Sequence, residues 1–215
     1  MNIILKREQE QDHRAVETVI REAFWNHHGP GCDEHCLAHL LRSSPDFVPE
    51  LDYVAVDGDR VVGNIMYTLA HVLGDDGAKH PMLCFGPLSV LPEYQGRGIG
   101  SRLITHTREL ARQLGHGAIL IFGDPEFYGR VGFTGAEDYG IGTSWGTYAA
   151  ALQACELVPG ALKGRGGRFF ESEAYRISQE EAEAFDRGFP PKEKLSGLPS
   201  QQRFAQVVAM NRPIA

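Results

Sequence analysis

The sequence predicts an α/β fold, and three observations support this prediction. Apolar residues recur at helical spacing in two segments, 13–24 and 99–114. Three strand-like segments follow one another between residues 53 and 90, with a hairpin signal at Asp57-Gly58 between the first two. A strand-like apolar run at 118–122 then follows the second helix, so strands and helices alternate as they do in α/β proteins.

The other elements are predicted from capping residues and apolar patterns. We expect Asp12 and Asp33 to cap two helices, 13–24 and 34 to about 42. Further expected elements are strands at 2–7, 53–56, 60–72 and 82–90, a helix that Gly115 ends, a short helix opened by Asp124-Pro125, strands between 139 and 158, and a helix near 179–186. Residues after about 158 change in composition and are expected to form a peripheral extension.

Composition excludes some classes of function. The 215-residue chain carries a formal net charge of −7, which argues against sequence-independent nucleic-acid binding and suits a cationic substrate. No stretch resembles a signal peptide or approaches the ~18 apolar residues of a membrane span. The four cysteines show no framework spacing, so we expect a reduced, cytoplasmic protein with no membrane partner.

The segment LPEYQGRGIGSRL, residues 91–103, places three glycines between a strand-like run and a helix. A P-loop is excluded because no Lys-Ser or Lys-Thr follows the glycines. A dinucleotide fingerprint fits poorly because the spacing is G-x-G-x-G rather than G-x-G-x-x-G. The glycines alone are also compatible with a tight turn that serves packing. The order of strand, glycine turn and helix, however, favours an anion site at the helix N-terminus.

Two motifs are similar to those of one family. Gln95-x-x-Gly98-x-Gly100 resembles the [QR]-x-x-G-x-[GA] signature of the GNAT superfamily of N-acetyltransferases. The segment DPEFYGRVGF, residues 124–133, resembles the second signature of that family, with Tyr128 five residues before Phe133. Asp124-Pro125 is similar to the bacterial YhbS-like branch. The resemblance covers about residues 3 to 140 and implies a GNAT fold, which is an α/β fold with a mixed, splayed sheet and helices on both faces. We therefore expect a GNAT domain at 1–158 and a C-terminal extension at 159–215 packed on it.

The resemblance also implies an activity, a co-substrate and site residues. The chain would move an acetyl group from acetyl-CoA to a primary amine of a small molecule or peptide, by direct attack of the amine. The pantetheine arm would pair with the backbone of Leu88 and Val90, Val90 N–H would face the developing oxyanion, and Tyr128 would protonate the leaving thiolate. The implied cofactor-binding residues are Leu88, Ser89, Val90, Gln95, Gly96, Arg97, Gly98, Ile99, Gly100 and Ser101.

Several alternatives stay open at this stage. The predicted strand 82–90 carries no carboxylate, so the general base is open between Glu93, His80, His71, Asp124 and water. A non-catalytic acyl-CoA-binding protein is the first alternative function, and a dinucleotide-binding oxidoreductase is a distant one. A homodimer is a further option.

Two further segments have compositions that are compatible with a function: a cluster of cysteines and histidines, and a glycine-rich segment. Cys32, His35, Cys36 and His39 have metal-like spacing, but the same helix must bury leucines and no second ligand element exists, so no metal is expected. The basic, glycine-rich segment 164–168 is expected to be a flexible loop.

Overall fold

A mixed β-sheet with helices on both faces organises the chain, as the sequence predicts. The structure is a computed structural model, and it describes residues 2–214. The strands are β1 Ile3–Arg7, β2 Tyr53–Asp57, β3 Arg60–Leu73, β4 Lys79–Val90, β5 Ala118–Phe122, β6 Thr134–Gly135, β7 Ile141–Thr143, β8 Thr147–Ala149, β9 Leu152–Glu156, β10 Gly167–Phe170 and β11 Asn211–Pro213. The helices are α1 His13–Phe24, α2 Glu34–Leu41, α3 Ile99–Gln113, α4 Pro125–Gly129, α5 Gln179–Asp186 and α6 Pro199–Ala209.

The main sheet has the strand order β1-β2-β3-β4-β5-β9-β6, and β10 pairs with both β3 and β7. Most described pairs are antiparallel, whereas β7 and β10 are parallel, and so are β4 and β5, with Leu83 opposite Ile119. The long connection through α3 permits that parallel pair, since parallel neighbours need a crossover. The chain folds into two compact units that do not divide at residue 158, so the expected boundary there stays a prediction.

The first unit comprises residues up to Tyr67, 86–104 and 173–203. In it β1, β2 and the first half of β3 form an antiparallel ladder, and α1 buries Val16, Val19 and Ile20. The bounds of α1 are those predicted, but Asp12 does not cap the helix as expected. Its carboxylate accepts hydrogen bonds from Lys6 Nζ and the backbone N–H of Gln9 instead. Asp33 likewise makes no side-chain cap to α2.

The second unit comprises residues 68–85, 105–172 and 204 to the C-terminus. Its centre is β5, where the run from Ala118 to Ile121 is at most 1% exposed. Gly115 ends α3 with φ +89°, as predicted. The sequence did not predict β10, which places Phe169 opposite Val72 and buries it, so the expected flexible loop ends in a sheet strand. Helix α6 and β11, which pairs with β8, were also missed.

Candidate active site

The end of β4 presents the three cofactor-binding residues that the resemblance implies for this strand, Leu88, Ser89 and Val90. The side chain of Ser89 is buried, and its hydroxyl donates a hydrogen bond to Asn64 Oδ1. Leu88 and Val90 alternate with Ser89 along the strand and are half-buried. Ser89 therefore anchors the strand, and Leu88 and Val90 lie on its more accessible face.

The turn after β4 owes its shape to two glycines. Gly96 and Gly98 have φ of +71° and +76°, a region that other L-residues adopt at a cost. A Cβ built on either glycine would meet nothing within 4 Å, so backbone conformation rather than lack of space calls for glycine here. Gln95 Nε2 donates to the carbonyl oxygen of Val90 at 3.0 Å, which ties the turn to the end of the strand.

The N-terminus of α3 opens directly from this turn. The first helical bond at this end runs from Arg102 N–H to Gly98 O at 3.0 Å. The backbone N–H groups of Ile99, Gly100 and Ser101 lie before this first bond, so the helix itself offers them no carbonyl acceptor. Together with the helix dipole, these N–H groups suit an anion. Arg97 lies in the exposed part of the turn, with its guanidinium 5.6 Å from the ring centre of Tyr94.

Tyr128 lies on α4, whose N-terminus is built as predicted. The Asp124 carboxylate accepts a hydrogen bond from the backbone N–H of Glu126 at 2.9 Å, and Pro125 occupies the first turn. The Tyr128 ring packs edge-on against Phe127 and Phe133, with centroid distances of 4.9 and 5.5 Å. This aromatic packing positions the ring but leaves its hydroxyl available.

The backbone of Gly123 also supports the Tyr128 ring. A Cβ added at Gly123 would lie 2.0 Å from Cε2 of Tyr128, so any larger residue must displace the ring. The Tyr128 hydroxyl makes no hydrogen bond to another described residue. Burial raises the pKa of this hydroxyl, and nearby Cys84 adds to the effect, so the proton stays on the oxygen at neutral pH.

The structure brings a carboxylate to Cys84, the neighbour of Tyr128, and sequence reasoning missed it. Cys84 on β4 is fully buried next to Tyr128, and its Sγ donates to Glu171 Oε1 at 3.8 Å. Glu171 directly follows β10, the strand that the sequence did not reveal. Burial raises the pKa of Glu171 to about 7, and the hydrogen bond from Cys84 opposes this shift. No local motif marks Glu171, because the pairing of β10 with β3 sets its position.

Three of the four base candidates from the sequence have other roles in the fold. Glu93 is exposed and pairs with Arg60 at 2.7 Å, and Asp124 caps α4. The His71 ring stacks on Phe170, with an interplanar angle of 8° and centroids 5.3 Å apart. These contacts show that each of the three side chains has a structural role: an ion pair, a helix cap and a stacked ring.

A pocket of about 480 Å³ lies in the first unit. The α1–α2 connection and α5 form it, and its lining includes the aromatic side chains of Phe24, Trp25 and His28. Four carboxylates, Asp33, Glu34, Glu183 and Asp186, and one ammonium group, that of Lys194, also line it. Such a mixture of aromatic faces and carboxylates suits an organic cation.

The charges around this pocket are only partly neutralised. Arg21 Nε donates to Asp186 Oδ1 at 2.6 Å, and His28 Nδ1 lies 2.9 Å from Glu34 Oε1. Burial, together with the charge of Glu34, raises the pKa of Asp33. A carboxyl with a raised pKa gains when a cation arrives, because the cation stabilises its ionised form.

The cysteine and histidine cluster of α2 is part of the packing beside this pocket. Cys32 Sγ lies 3.5 Å from His35 Nδ1, and His35 Nε2 lies 3.0 Å from Asp186 Oδ1. Cys36 is buried, and His39 Nδ1 lies 3.1 Å from Glu17 Oε1. Within residues 2–214, no group of three or more His, Cys, Asp or Glu side chains is arranged to hold a metal ion.

The fold and the glycine turn are those expected of an acyl-CoA-dependent acetyltransferase, and the chain is similar to known proteins of this class. Residues 50–135 match the family described as the Acetyltransferase (GNAT) domain. This match includes both signature segments and supports the resemblance to the GNAT N-acetyltransferases, and the fold is the one expected from the two signatures.

Among known N-acetyltransferases, the chain resembles YhbS of Escherichia coli strain K12. It is 28% identical to that N-acetyltransferase, whose activity is uncharacterised, over 157 residues, which is 73% of this chain and 88% of the relative. It is 36% identical to the uncharacterised N-acetyltransferase YjhQ of the same strain over 115 residues, 53% of this chain and 62% of the relative.

Two solved structures show the same fold. Crystalline E. coli YhbS in complex with CoA superposes with a TM-score of 0.73 at 24% identity, over 83% of this chain and 94% of that one. A GNAT acetyltransferase of Brucella melitensis in complex with acetyl-CoA gives a TM-score of 0.65 at 24% identity, over 81% and 99% of the two chains. None of the helices in the part of the chain that the structure describes has the length and apolar content of a membrane span.

Proposed function

We propose that this protein transfers the acetyl group of acetyl-CoA to a primary amine that carries a second positive charge. The observation that carries the proposal is the open N-terminus of α3 behind the Gly96 and Gly98 turn, next to the accessible end of β4. The CoA and acetyl-CoA complexes of the two structural neighbours support acetyl-CoA as the co-substrate. The cytoplasmic location and the homodimer stay predictions.

The cofactor would bind the turn through its pyrophosphate. The amides from Arg97 to Ser101 would surround the phosphate oxygens, and Gln95 and Gly96 would hold the turn against β4. The pantetheine arm would add to the accessible face of Leu88 and Val90 as an extra strand, with Ser89 holding β4 in place. Glycine at position 98 adopts the left-handed backbone conformation of this turn at little cost.

The reaction would proceed by direct attack of the amine on the thioester carbonyl. The N–H of Val90 would donate to the oxyanion of the tetrahedral intermediate. Tyr128, whose hydroxyl has no hydrogen-bond partner among the residues described, would protonate the departing thiolate. The raised pKa of Tyr128 keeps it in the protonated, donating form across neutral pH.

The acidic pocket supports a cationic acceptor. Its Asp33 and Glu183 carboxylates have no ion pair in the described structure, and the chain as a whole carries a net charge of −7. The aromatic faces of Phe24 and Trp25 offer further contact to an organic cation. We therefore propose that the charged tail of the acceptor binds here.

An amine screen tests this proposal. Acetyl-CoA is incubated with neutral monoamines, diamines, polyamines and peptide N-termini, and free thiol is measured. The proposal predicts the highest kcat/KM for acceptors with a second positive charge. A preference for neutral or anionic amines would contradict the assignment of the pocket.

A variant of the pocket tests the role of its charge. Glu183→Gln should raise KM for a dicationic acceptor by roughly 2- to 5-fold, because an exposed charge pair is worth about 0.2–1 kcal/mol. It should leave kcat unchanged. Glu180→Gln is the matched control, since Glu180 lies on the same helix but does not line the pocket. An equal effect of both substitutions would assign the change to general electrostatics.

A further inference from the structure

We infer that Glu171 is the general base of this acetyltransferase and takes the proton from the acceptor amine. The inference rests on the proposed function, because it concerns the same transfer reaction. It fills the role for which the β4 sequence offers no carboxylate. The base would come from the segment after β10 instead.

The contacts of Glu171 link it to the proposed acid through Cys84. Its Oε1 accepts a hydrogen bond from Cys84 at 3.8 Å, and Cys84 in turn lies close enough to raise the pKa of Tyr128. The ring centroids of Phe85 and Tyr128, 5.9 Å apart, show the same closeness of β4 to α4. Cys84, Tyr128 and Glu171 therefore form one cluster within the second unit.

No positive charge offsets the Glu171 carboxylate. From the neighbouring elements, Cys84 of β4 faces it, Tyr128 of α4 lies beside Cys84, and His71 of β3 stacks on the adjacent Phe170. Among the described residues, no cation contributes to its pKa, and the thiol is its one hydrogen-bond donor. A partly buried carboxylate without a cation attracts the proton of a bound ammonium group, so its surroundings favour a base.

The proton balance of the reaction gives each residue one role. Glu171 takes one proton from the ammonium group, and the freed lone pair forms the C–N bond to the acetyl carbon. The C–S bond then breaks, and the thiolate receives the Tyr128 proton. The nitrogen loses its second proton to the Tyr128 phenolate, which restores the hydroxyl, and Glu171 releases its proton to water. The products are the amide and free CoA thiol, so no oxidant or further reactant is needed.

Two nucleophiles of similar size test the inference. Propylamine is protonated at neutral pH and needs a base, whereas hydroxylamine is mostly unprotonated and does not. Glu171→Gln should lower kcat/KM for propylamine by roughly 10²- to 10⁴-fold, the usual contribution of a general base. It should change kcat/KM for hydroxylamine by only a few-fold. Equal losses with both nucleophiles, or no loss with propylamine, would overturn the inference.

The pH profile gives a second readout. Wild-type kcat/KM for propylamine should rise as Glu171 ionises around its pKa of about 7. In Glu171→Gln this ascending limb of the pH profile should vanish. The kcat/KM for propylamine should then rise only at higher pH, where the amine itself loses its proton. Cys84→Ala removes the hydrogen bond that lowers the Glu171 pKa, so the limb should move to higher pH. A limb unchanged in the glutamine variant would assign it to another group.

Three controls distinguish a failure of this inference from a failure of the proposed function and from misfolding of the variant. Glu173→Gln removes an exposed carboxylate two residues away, which pairs with Arg176, and should leave both rates unchanged. Because the Glu171 pKa is raised, its ionisation destabilises the fold above about pH 4.5, so Glu171→Gln should raise the melting temperature at pH 8. A lower melting temperature would indicate a structural role. If wild-type protein binds acetyl-CoA but transfers to neither nucleophile, the proposed function fails as well.

Discussion

A negative charge at Gly98 should remove cofactor binding, and the structure allows the effect to be separated from backbone strain. The φ of +76° at Gly98 makes any L-residue cost about 1–2 kcal/mol of stability. This strain is the same with and without cofactor, so it lowers the melting temperature but not the affinity. In Gly98→Glu, a carboxylate about 5 Å from the pyrophosphate would add about 3 kcal/mol of repulsion at an effective dielectric constant of ~20. The expected result is a roughly 10²-fold weaker Kd for acetyl-CoA.

Calorimetric titration with acetyl-CoA measures this effect against two matched controls. Gly98→Ala introduces the strain without the charge, and its Cβ meets nothing within 4 Å, so its Kd should stay close to that of wild type. Gly58→Ala introduces similar strain in the β2–β3 hairpin, where φ is +61°. A folded Gly98→Glu protein with wild-type affinity would refute the placement of the pyrophosphate on this turn.

Three further substitutions test the proposed acid and a buried carboxyl pair. Tyr128→Phe should lower kcat roughly 10²-fold with an unchanged Kd for acetyl-CoA, whereas Tyr139→Phe should change neither value; an equal loss of affinity and kcat would make Tyr128 a positioning residue. Gly123→Ala should lower kcat by a similar factor because its Cβ would lie 2.0 Å from the Tyr128 ring, and full kcat in the folded variant would contradict this. Burial and the charge of Glu8 raise the pKa of Asp52 to about 9, so ionisation of Asp52 costs stability as pH rises to that value. Asp52→Asn should therefore raise stability at pH 9 by about 1–2 kcal/mol, roughly 2–8 °C in Tm; a lower melting temperature would refute the raised pKa.

Local sequence signals predicted the helices and turns that are determined mainly by residues close together in the sequence. The bounds of α1 followed from apolar periodicity. The helix expected near 179–186 is α5, and the structure shows that a capping box between Ser178 and Glu181 begins it. The glycine turn before α3 could also be predicted from the sequence, because few other residues adopt the left-handed conformation of Gly96 and Gly98.

Elements that depend on distant partners could not be predicted. Asp12 was expected to cap α1, but Lys6 and the Gln9 amide compete for its carboxylate across a turn. The segment of β10 is short and glycine-rich, and it becomes a strand only because β3 and β7 pair with it. The position of Glu171 could not be predicted for the same reason. Its contact with Cys84 arises from the pairing of strands that are distant in the sequence, not from spacing along the chain.

All the other proposals depend on the transfer of an acetyl group from acetyl-CoA to an amine. Mass spectrometry of a dicationic polyamine, after incubation with wild-type protein and acetyl-CoA labelled with ¹³C in the acetyl group, measures this transfer. We expect a singly acetylated polyamine that carries the label, in amounts equal to the free CoA thiol released. Labelled acetate without labelled amide, or intact acetyl-CoA after prolonged incubation, would contradict this expectation.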